Sequence, residues 1–225
     1  MQKKEYIQKM FAGISHRYDF LNRLLSMGRD KYWRRFAAAL LPHGYIIDVC
    51  SGTGDVAVEV SKKSNVIASD FCEEMLQLCL KKIKKQNIKN VYCVQNDAEN
   101  LSFKDGTFNG AIVAFGIRNV ADIKKALSEM NRVVKKSGKV VVLEFSLPEN
   151  KAFKSIYYLY FHKILPFIGA LVSKKKDAYS YLPSSVTAFP QRNEFVELMK
   201  GAGLIDIESY DLTFGIVTVY AGRKS

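Results

Sequence analysis

The sequence predicts an α/β fold: a mostly parallel sheet with helices on both faces. Three observations predict it. Short apolar strands alternate with helical stretches from Tyr45 to Phe145, the rhythm of a parallel sheet. A glycine turn, Gly52-Thr53-Gly54, sits between the first strand and the first helix. The stretch Lys139–Phe145 is apolar and β-branched, as a strand covered on both faces should be. A length of 225 residues suits one domain, 1–225.

The elements follow in order. Residues 1–42 read as a helical cap, interrupted at Ser26-Met27-Gly28 and ended by Pro42 and Gly44. Tyr45–Cys50 is the first strand, and a helix starts at about Val56. Asn65–Asp70 is the second strand. Phe71–Gln86 is helical, with Met75, Leu76, Cys79, Leu80 and Ile83 on its apolar face. Val91–Gln95 and Phe108–Phe115 are the third and fourth strands, followed by a helix over Ala121–Val134. Ser137-Gly138 reads as a stop before the fifth strand, Lys139–Phe145. The rhythm then breaks at an aromatic-rich insertion, about 150–190. Within it Ile156–Val172 is strongly apolar but is interrupted by His162, Lys163 and Pro166. A spanning helix needs about 20 largely apolar residues, so this stretch is expected to be a buried or lipid-facing helix. A helix over Arg192–Gly201 and strands over Leu204–Tyr210 and Phe214–Ala221 close the chain.

The balance of charge is basic, with 34 Lys and Arg against 22 Asp and Glu and a net charge of +12. That favours anionic partners, either nucleic acid or an anionic membrane face, although the lysine runs are dispersed. The four cysteines, Cys50, Cys72, Cys79 and Cys93, form no CxxC pair and have no histidine cluster beside them. No metal site is expected. A polar, charged N-terminus and reduced thiols point to a cytoplasmic protein.

The candidate cofactor loop is Asp48–Asp55. Glycines at a strand-to-helix turn let the backbone approach a ligand at the carboxyl edge of the sheet. Gly52-x-Gly54-x-x-Ala57 also fits a loose dinucleotide fingerprint. The acids help decide between the two, although Asp55 can also simply cap or charge the helix start. A pyrophosphate at that helix start would be repelled by Asp48 and Asp55, whereas the sulfonium and ammonium of S-adenosylmethionine would be attracted. Asp70 lies 18 residues after Gly52 and can accept both ribose hydroxyls of either cofactor. Asp97-Ala98 can read an adenine rim, or it can be a simple turn cap.

With these residues in place, the chain resembles the ubiquinone/menaquinone biosynthesis C-methyltransferase family, the demethylmenaquinone methyltransferases. The matching stretches are Tyr18-Asp19, Leu24 to Gly28 with Trp33, Asp48–Asp55, Asp97-Ala98-Glu99 with Leu101 and Phe103, and Phe115 to Val120. Leu143 to Ser146, Tyr179 to Leu182 and Gly215 to Val217 complete the set. The resemblance implies a class I, Rossmann-like methyltransferase fold whose seven-stranded sheet ends in an antiparallel strand. It also implies carbon methylation of a prenylated quinol, demethylmenaquinol or a benzoquinol precursor of ubiquinone. Cofactor contacts map by resemblance onto Thr53, Asp70, Asp97 and Ala98. A further contact falls on Ala114, where the family often has Ser. Asp97 stands where Asn is common, and Cys50-Ser51 where Ala-Gly is frequent.

Methylating a ring carbon requires an electron-rich carbon held in line with the sulfonium methyl, so orientation and electrostatics dominate. Arg118 and Asn119 follow the fourth strand at that edge. Arg118 is expected to stabilise a developing quinolate and Asn119 to position the ring or Arg118; the alternative for Arg118 is an ion pair with Asp122 or Glu144. Arginine is a poor base, so a water is the better proton acceptor. His16, Tyr18, Tyr179 and Tyr181 are weaker candidates for the quinol pocket. The insertion and the cap would line an apolar groove for the prenyl tail, and the positive charge would hold the protein peripherally at the inner face of an anionic membrane. Three other readings remain. An RNA or other small-molecule methyltransferase would share the loop and the charge, but no nucleic-acid platform is visible. An NAD-dependent oxidoreductase is disfavoured by the paired acids. A non-catalytic cofactor-binding subunit would keep the loop. Oligomeric state is open, and a homo-oligomer is allowed.

Overall fold

The computed structural model describes residues 5–13, 19, 23, 26–150 and 176–225. The apolar stretch Ile156–Val172, with His162, lies outside the described residues, as do His16, Tyr18 and the side chain of Tyr179. Residues 5–13 are helical. The elements after them are α1 (Asp30–Ala39), β1 (Gly44–Val49), α2 (Asp55–Val60), β2 (Ser64–Asp70), α3 (Glu73–Lys85), β3 (Val91–Gln95) and β4 (Phe108–Ala114). A single 3-10 turn, Ile117–Asn119, leads to α4 (Ile123–Val133), β5 (Val134–Phe145), α5 (Lys176–Ala188), α6 (Asn193–Gly201), β6 (Leu204–Leu212) and β7 (Val217–Lys224).

The seven strands lie in the order β3-β2-β1-β4-β5-β7-β6, and β7 runs antiparallel to both its neighbours. This is the expected sheet. Val140, Val141, Val142 and Leu143 in β5 are all fully buried, because α1 covers one face of the sheet while α4 and α6 cover the other. The chain winds outward in opposite directions from the central pair β1 and β4. A crevice therefore opens between their carboxyl ends, where sheets of this kind bind ligands.

Local chemistry explains most boundaries. Helix α3 begins with Glu73 and Glu74 and ends with Lys82, Lys84 and Lys85, matching its dipole at both ends. Helix α4 is capped by Asp122, whose carboxylate accepts the Lys125 amide at 3.0 Å.

Three expectations fail for physical reasons. Leu80 is 41% exposed instead of sitting on the α3 core face, since the buried stripe runs through Met75, Leu76, Cys79 and Ile83. Ser137-Gly138 is not a stop before the fifth strand, which already begins at Val134. It makes an irregularity inside β5, with Ser137 at φ 61° and the register shifting opposite Phe108 and Gly110. A Cβ on Gly138 would lie 2.6 Å from the Asn109 carbonyl oxygen, so only glycine fits there. Phe214 does not open the last strand; Thr213, Phe214 and Gly215 all have positive φ and form the β6–β7 turn.

Candidate active site

The cleft at the β1–β4 crevice is lined on one side by the glycine loop. The chain leaves β1 through Cys50 at φ 54° and passes Gly52 at φ 55°. Among the described residues, chain neighbours aside, no atom lies within 4 Å of where a Gly52 Cβ would stand, so bare backbone faces the opening. Asp48 lies beneath it, 1% exposed, and among the described residues neither carboxylate oxygen has a hydrogen-bond partner. Burial pushes its pKa well above the usual carboxylate range and the Asp70 charge adds to this, while the Ala57 amide and the Arg34 charge oppose it. An orphaned buried carboxylate is costly, and a cationic ligand would relieve it.

Asp70 ends β2 on the same rim. Its two oxygens accept the amides of Gly52 at 2.7 Å and Cys72 at 2.8 Å. Burial raises its pKa, and those amides hold the rise back. A carboxylate has about four lone-pair positions, so each oxygen keeps capacity for a hydroxyl of a ribose diol. Asp97 accepts the Glu99 amide at 2.9 Å in a tight turn that brings Ala98 to the cleft wall. Phe71 and Met75 add an apolar surface between Asp70 and that turn. The residues present thus fit S-adenosylmethionine: an uncompensated acid, a diol acceptor, bare backbone and an apolar wall. Cys50 also faces the cleft, but burial, followed by the charges of Asp70 and Asp48, pushes its thiol pKa up. It is a neutral wall and not a nucleophile.

Asp55 has a different task from the one its spacing suggested. It pairs with Lys82 and lies 3.6 Å from Arg34, which itself pairs with Asp30. Burial works against its ionisation, but Arg34 and Lys82 outweigh it and hold its pKa below the usual range. Its charge is therefore spent on protein cations, and of the two loop acids only Asp48 is left for a cationic ligand. Lys82 also reaches Asp19 at 2.8 Å and the Thr53 hydroxyl at 3.1 Å. Thr53 in turn donates to Asp19 at 2.5 Å, so the glycine loop is tied to the N-terminal cap.

The opposite rim follows β4. Phe115 has φ 58°, and Gly116 passes so close to Cys50 that its own Cβ would lie 2.4 Å from the cysteine Cβ. The 3-10 turn then presents Asn119 to the cleft. The Tyr181 hydroxyl of α5 donates to Asn119 Oδ1 at 3.0 Å. Tyr181 also meets the Tyr6 ring of the N-terminal helix with centroids 6.3 Å apart. Arg118 points the other way. Its Nη1 donates to Glu144 at 2.6 Å and to the Phe115 carbonyl at 2.6 Å. Glu144 is fully buried; burial raises its pKa, against the pull of Arg118.

Of the expected site residues, Asp48, Gly52, Thr53, Asp70, Asp97, Ala98, Ala114 and Asn119 come together on the cleft lining. Gly54 and Arg118 do not line it. Gly54 turns its hydrogen toward Cys79, where any side chain would collide, so it permits α2 and α3 to pack. Sequence reasoning missed Ile7 and Phe11 of the N-terminal helix and Phe71 and Met75, all on the lining. Phe71 had a readable signal, an aromatic directly after a strand-end acid. Among the described residues no cluster of His, Cys, Asp or Glu could hold a metal ion.

Comparison with known proteins agrees with this geometry. A SAM-dependent methyltransferase from Thermotoga maritima superposes with a TM-score of 0.69 at 21% identity, over 97% of this chain and 100% of that one. With its cleft at the β1–β4 crevice, the fold is that of a class I S-adenosylmethionine-dependent methyltransferase. The family model described as the ubiE/COQ5 methyltransferase family matches residues 1–224, and the chain belongs to that family. Two relatives are similar along their whole length. The ubiquinone/menaquinone biosynthesis C-methyltransferase UbiE of Geotalea uraniireducens is 45% identical over 231 residues, covering 99% of this chain and 98% of that one. The demethylmenaquinone methyltransferase of Deinococcus radiodurans is 41% identical over 228 residues, covering 99% and 94%.

Proposed function

We propose that this enzyme transfers the methyl group of S-adenosylmethionine to a ring carbon of a prenylated quinol, with demethylmenaquinol as the acceptor and menaquinol as the product. The observation that carries this reading is the near-full-length identity to proteins named for that reaction. The cleft is consistent with it, having acids on one rim and an amide–phenol pair on the other.

S-adenosylmethionine supplies an electrophilic methyl group. In this reading Asp48 attracts its cationic end, Asp70 accepts the ribose diol, and Asp97 with the Ala98 amide meets the adenine edge. Thr53 and Gly52 shape the loop that holds it, and Ala114 offers only backbone. Asn119 and Tyr181 orient the quinol oxygen so that its ring carbon faces the methyl group, which is the main need of such a displacement. Arg118, fixed by Glu144, holds the Phe115–Asn119 turn and adds positive potential behind the developing quinolate. A solvent water takes the proton.

The test is methyl transfer to paired naphthoquinol and benzoquinol acceptors with short prenyl tails. Methylated naphthoquinol as the faster product supports demethylmenaquinol; preference for the benzoquinol moves the acceptor to the ubiquinone precursor. Turnover of neither overturns the reading. The relatives' names cover both acceptors, so the benzoquinol is the second reading.

A further inference from the structure

Two tight turns on one side of the molecule push apolar side chains into solvent. Met27, in the turn before α1, is 82% exposed, and Phe214, in the β6–β7 turn, is 80% exposed. Both adopt positive φ, 50° and 58°, a backbone state that is costly for residues other than glycine. In both turns that backbone state carries an apolar side chain that lies mostly in solvent. The turns are coupled: Trp33 Nε1 donates to Thr213 Oγ1 at 2.7 Å, and the Trp33 amide donates to the Arg29 carbonyl at 3.1 Å.

Aromatic rings extend the surface between them. Tyr32, half exposed, packs on Phe36 at 6.5 Å, and Phe36 packs on Tyr210 of β6 at 5.4 Å. Arg29, Lys31 and Arg35 stand exposed on the same helix and the turn before it. The nearby acids are largely engaged. Asp211 pairs with Arg192, Glu208 accepts the Tyr210 hydroxyl, and Glu59 holds Lys62 and lies 3.7 Å from Arg35. Apolar tips with cations around them match an anionic bilayer surface, since the rings enter the interface while the cations meet lipid phosphates. The surface also adjoins the cleft: Trp33 packs on the cleft residue Phe115 at 6.1 Å, and Arg34, the next residue of α1, lines the cleft itself.

From this we infer that the Met27 and Phe214 turns, with the cations of α1, form the face that docks on an anionic membrane and sets the cleft beside the lipid that carries the acceptor. The placement beside a lipid-borne acceptor rests on the proposed function; the docking itself does not.

The test is sedimentation of the full chain with phosphatidylcholine vesicles, with and without phosphatidylglycerol, in the absence of quinol. The expected result is salt-sensitive binding to the anionic vesicles. Replacing Met27→Ser and Phe214→Ser together should weaken it by about tenfold or more, and Arg29→Glu with Lys31→Glu should do so at low salt. Both variants should bind S-adenosylhomocysteine and methylate a water-soluble short-chain quinol like the parent. The inference is overturned if the parent ignores anionic vesicles, if the Met27/Phe214 variant binds them as well as the parent, or if these residues only hold a second copy of the chain together. Patch-dependent binding with no quinol turnover would leave the surface standing and remove the quinol reading.

Discussion

The two loops that meet at the cleft are built alike and charged differently. Each leaves a central strand through a residue with left-handed φ, Cys50 after β1 and Phe115 after β4. Each carries a charged group that is nearly or fully buried. After β4 that charge is answered within the protein, where Arg118 sits 2.6 Å from Glu144. At the end of β1 it is answered only at a distance, by the Arg34 charge, and among the described residues neither Asp48 oxygen has a hydrogen-bond partner. A buried ion pair belongs to the scaffold, whereas a buried orphan waits for a ligand. The cofactor rim thus presents an acid to a cationic ligand, and the acceptor rim is a rigid frame with polar tips at Asn119 and Tyr181.

The hardest way to break this contrast is to open the frame. Arg118→Ala strands the Glu144 carboxylate in a site with no solvent and should cost about 3–5 kcal/mol of stability, measured by urea unfolding. Arg118→Ala with Glu144→Ala should recover much of that loss, because the orphan charge is gone. If the double variant turns over within about threefold of the parent, the electrostatic contribution assigned to Arg118 is removed and its role is scaffold alone. Next in size is Asp70→Ala. It deletes a charged acceptor for two hydroxyls, each such bond being worth about 1.5–3 kcal/mol, and it frees the Gly52 and Cys72 amides. S-adenosylhomocysteine affinity should fall by about 100-fold or more by calorimetry. A loss under about fivefold would take Asp70 off the ribose.

These two tests fall on either side of what the sequence made legible. The sheet was readable because Ile46, Ile47, Val140, Val141 and Val142 are β-branched and buried, so local pattern and tertiary environment agree. The cleft rim was readable because strand ends and glycines mark it. Asp55 and Arg118 were hard to assign for one shared reason. Their counter-charges lie far along the chain, Lys82 being 27 residues from Asp55 and Glu144 26 from Arg118. A sequence displays a charge without displaying what neutralises it. Glu144 was named as one partner that Arg118 could take, yet nothing local distinguished it from Asp122. The turn at Phe214 failed differently. Its apolar character reads as strand, and only the three successive positive φ values reveal a turn.

Asp48→Asn sharpens the contrast on the cofactor side, because its two effects have opposite signs. Burial raises the Asp48 pKa, so the folded state holds this proton more tightly than the unfolded chain does. The penalty is absent below the unfolded carboxylate pKa of about 3.9 and is complete once pH exceeds the raised folded value. Near neutral pH, Asn should therefore stabilise the free protein by about 1–2 kcal/mol, seen as a higher midpoint of thermal unfolding. The same change should weaken S-adenosylmethionine binding by about tenfold and weaken neutral analogues less. A variant that is both less stable and fully able to bind would mean that Asp48 is satisfied by the protein after all.

The smallest expected effect tests the polar tip of the frame. The Tyr181 hydroxyl donates to Asn119 Oδ1 at 3.0 Å, leaving the amide's NH2 directed by that bond. That NH2 also makes a long contact, 3.5 Å to the Phe115 carbonyl. Burial, partly offset by Arg118, raises the Tyr181 pKa above its ordinary value, so the phenol remains a donor throughout the neutral range. Tyr181→Phe keeps the ring and its contact with Tyr6 while removing that donor. A single neutral hydrogen bond contributes about 0.5–1.5 kcal/mol. Turnover should therefore fall by about three- to tenfold, with S-adenosylhomocysteine affinity unchanged. Asn119→Ala should lose at least as much, and Tyr181→Phe should add little on top of it, since both remove the same orientation. Full additivity of the two losses would show that Tyr181 and Asn119 act on the acceptor separately, and the acceptor rim would then be two independent contacts instead of one rigid pair.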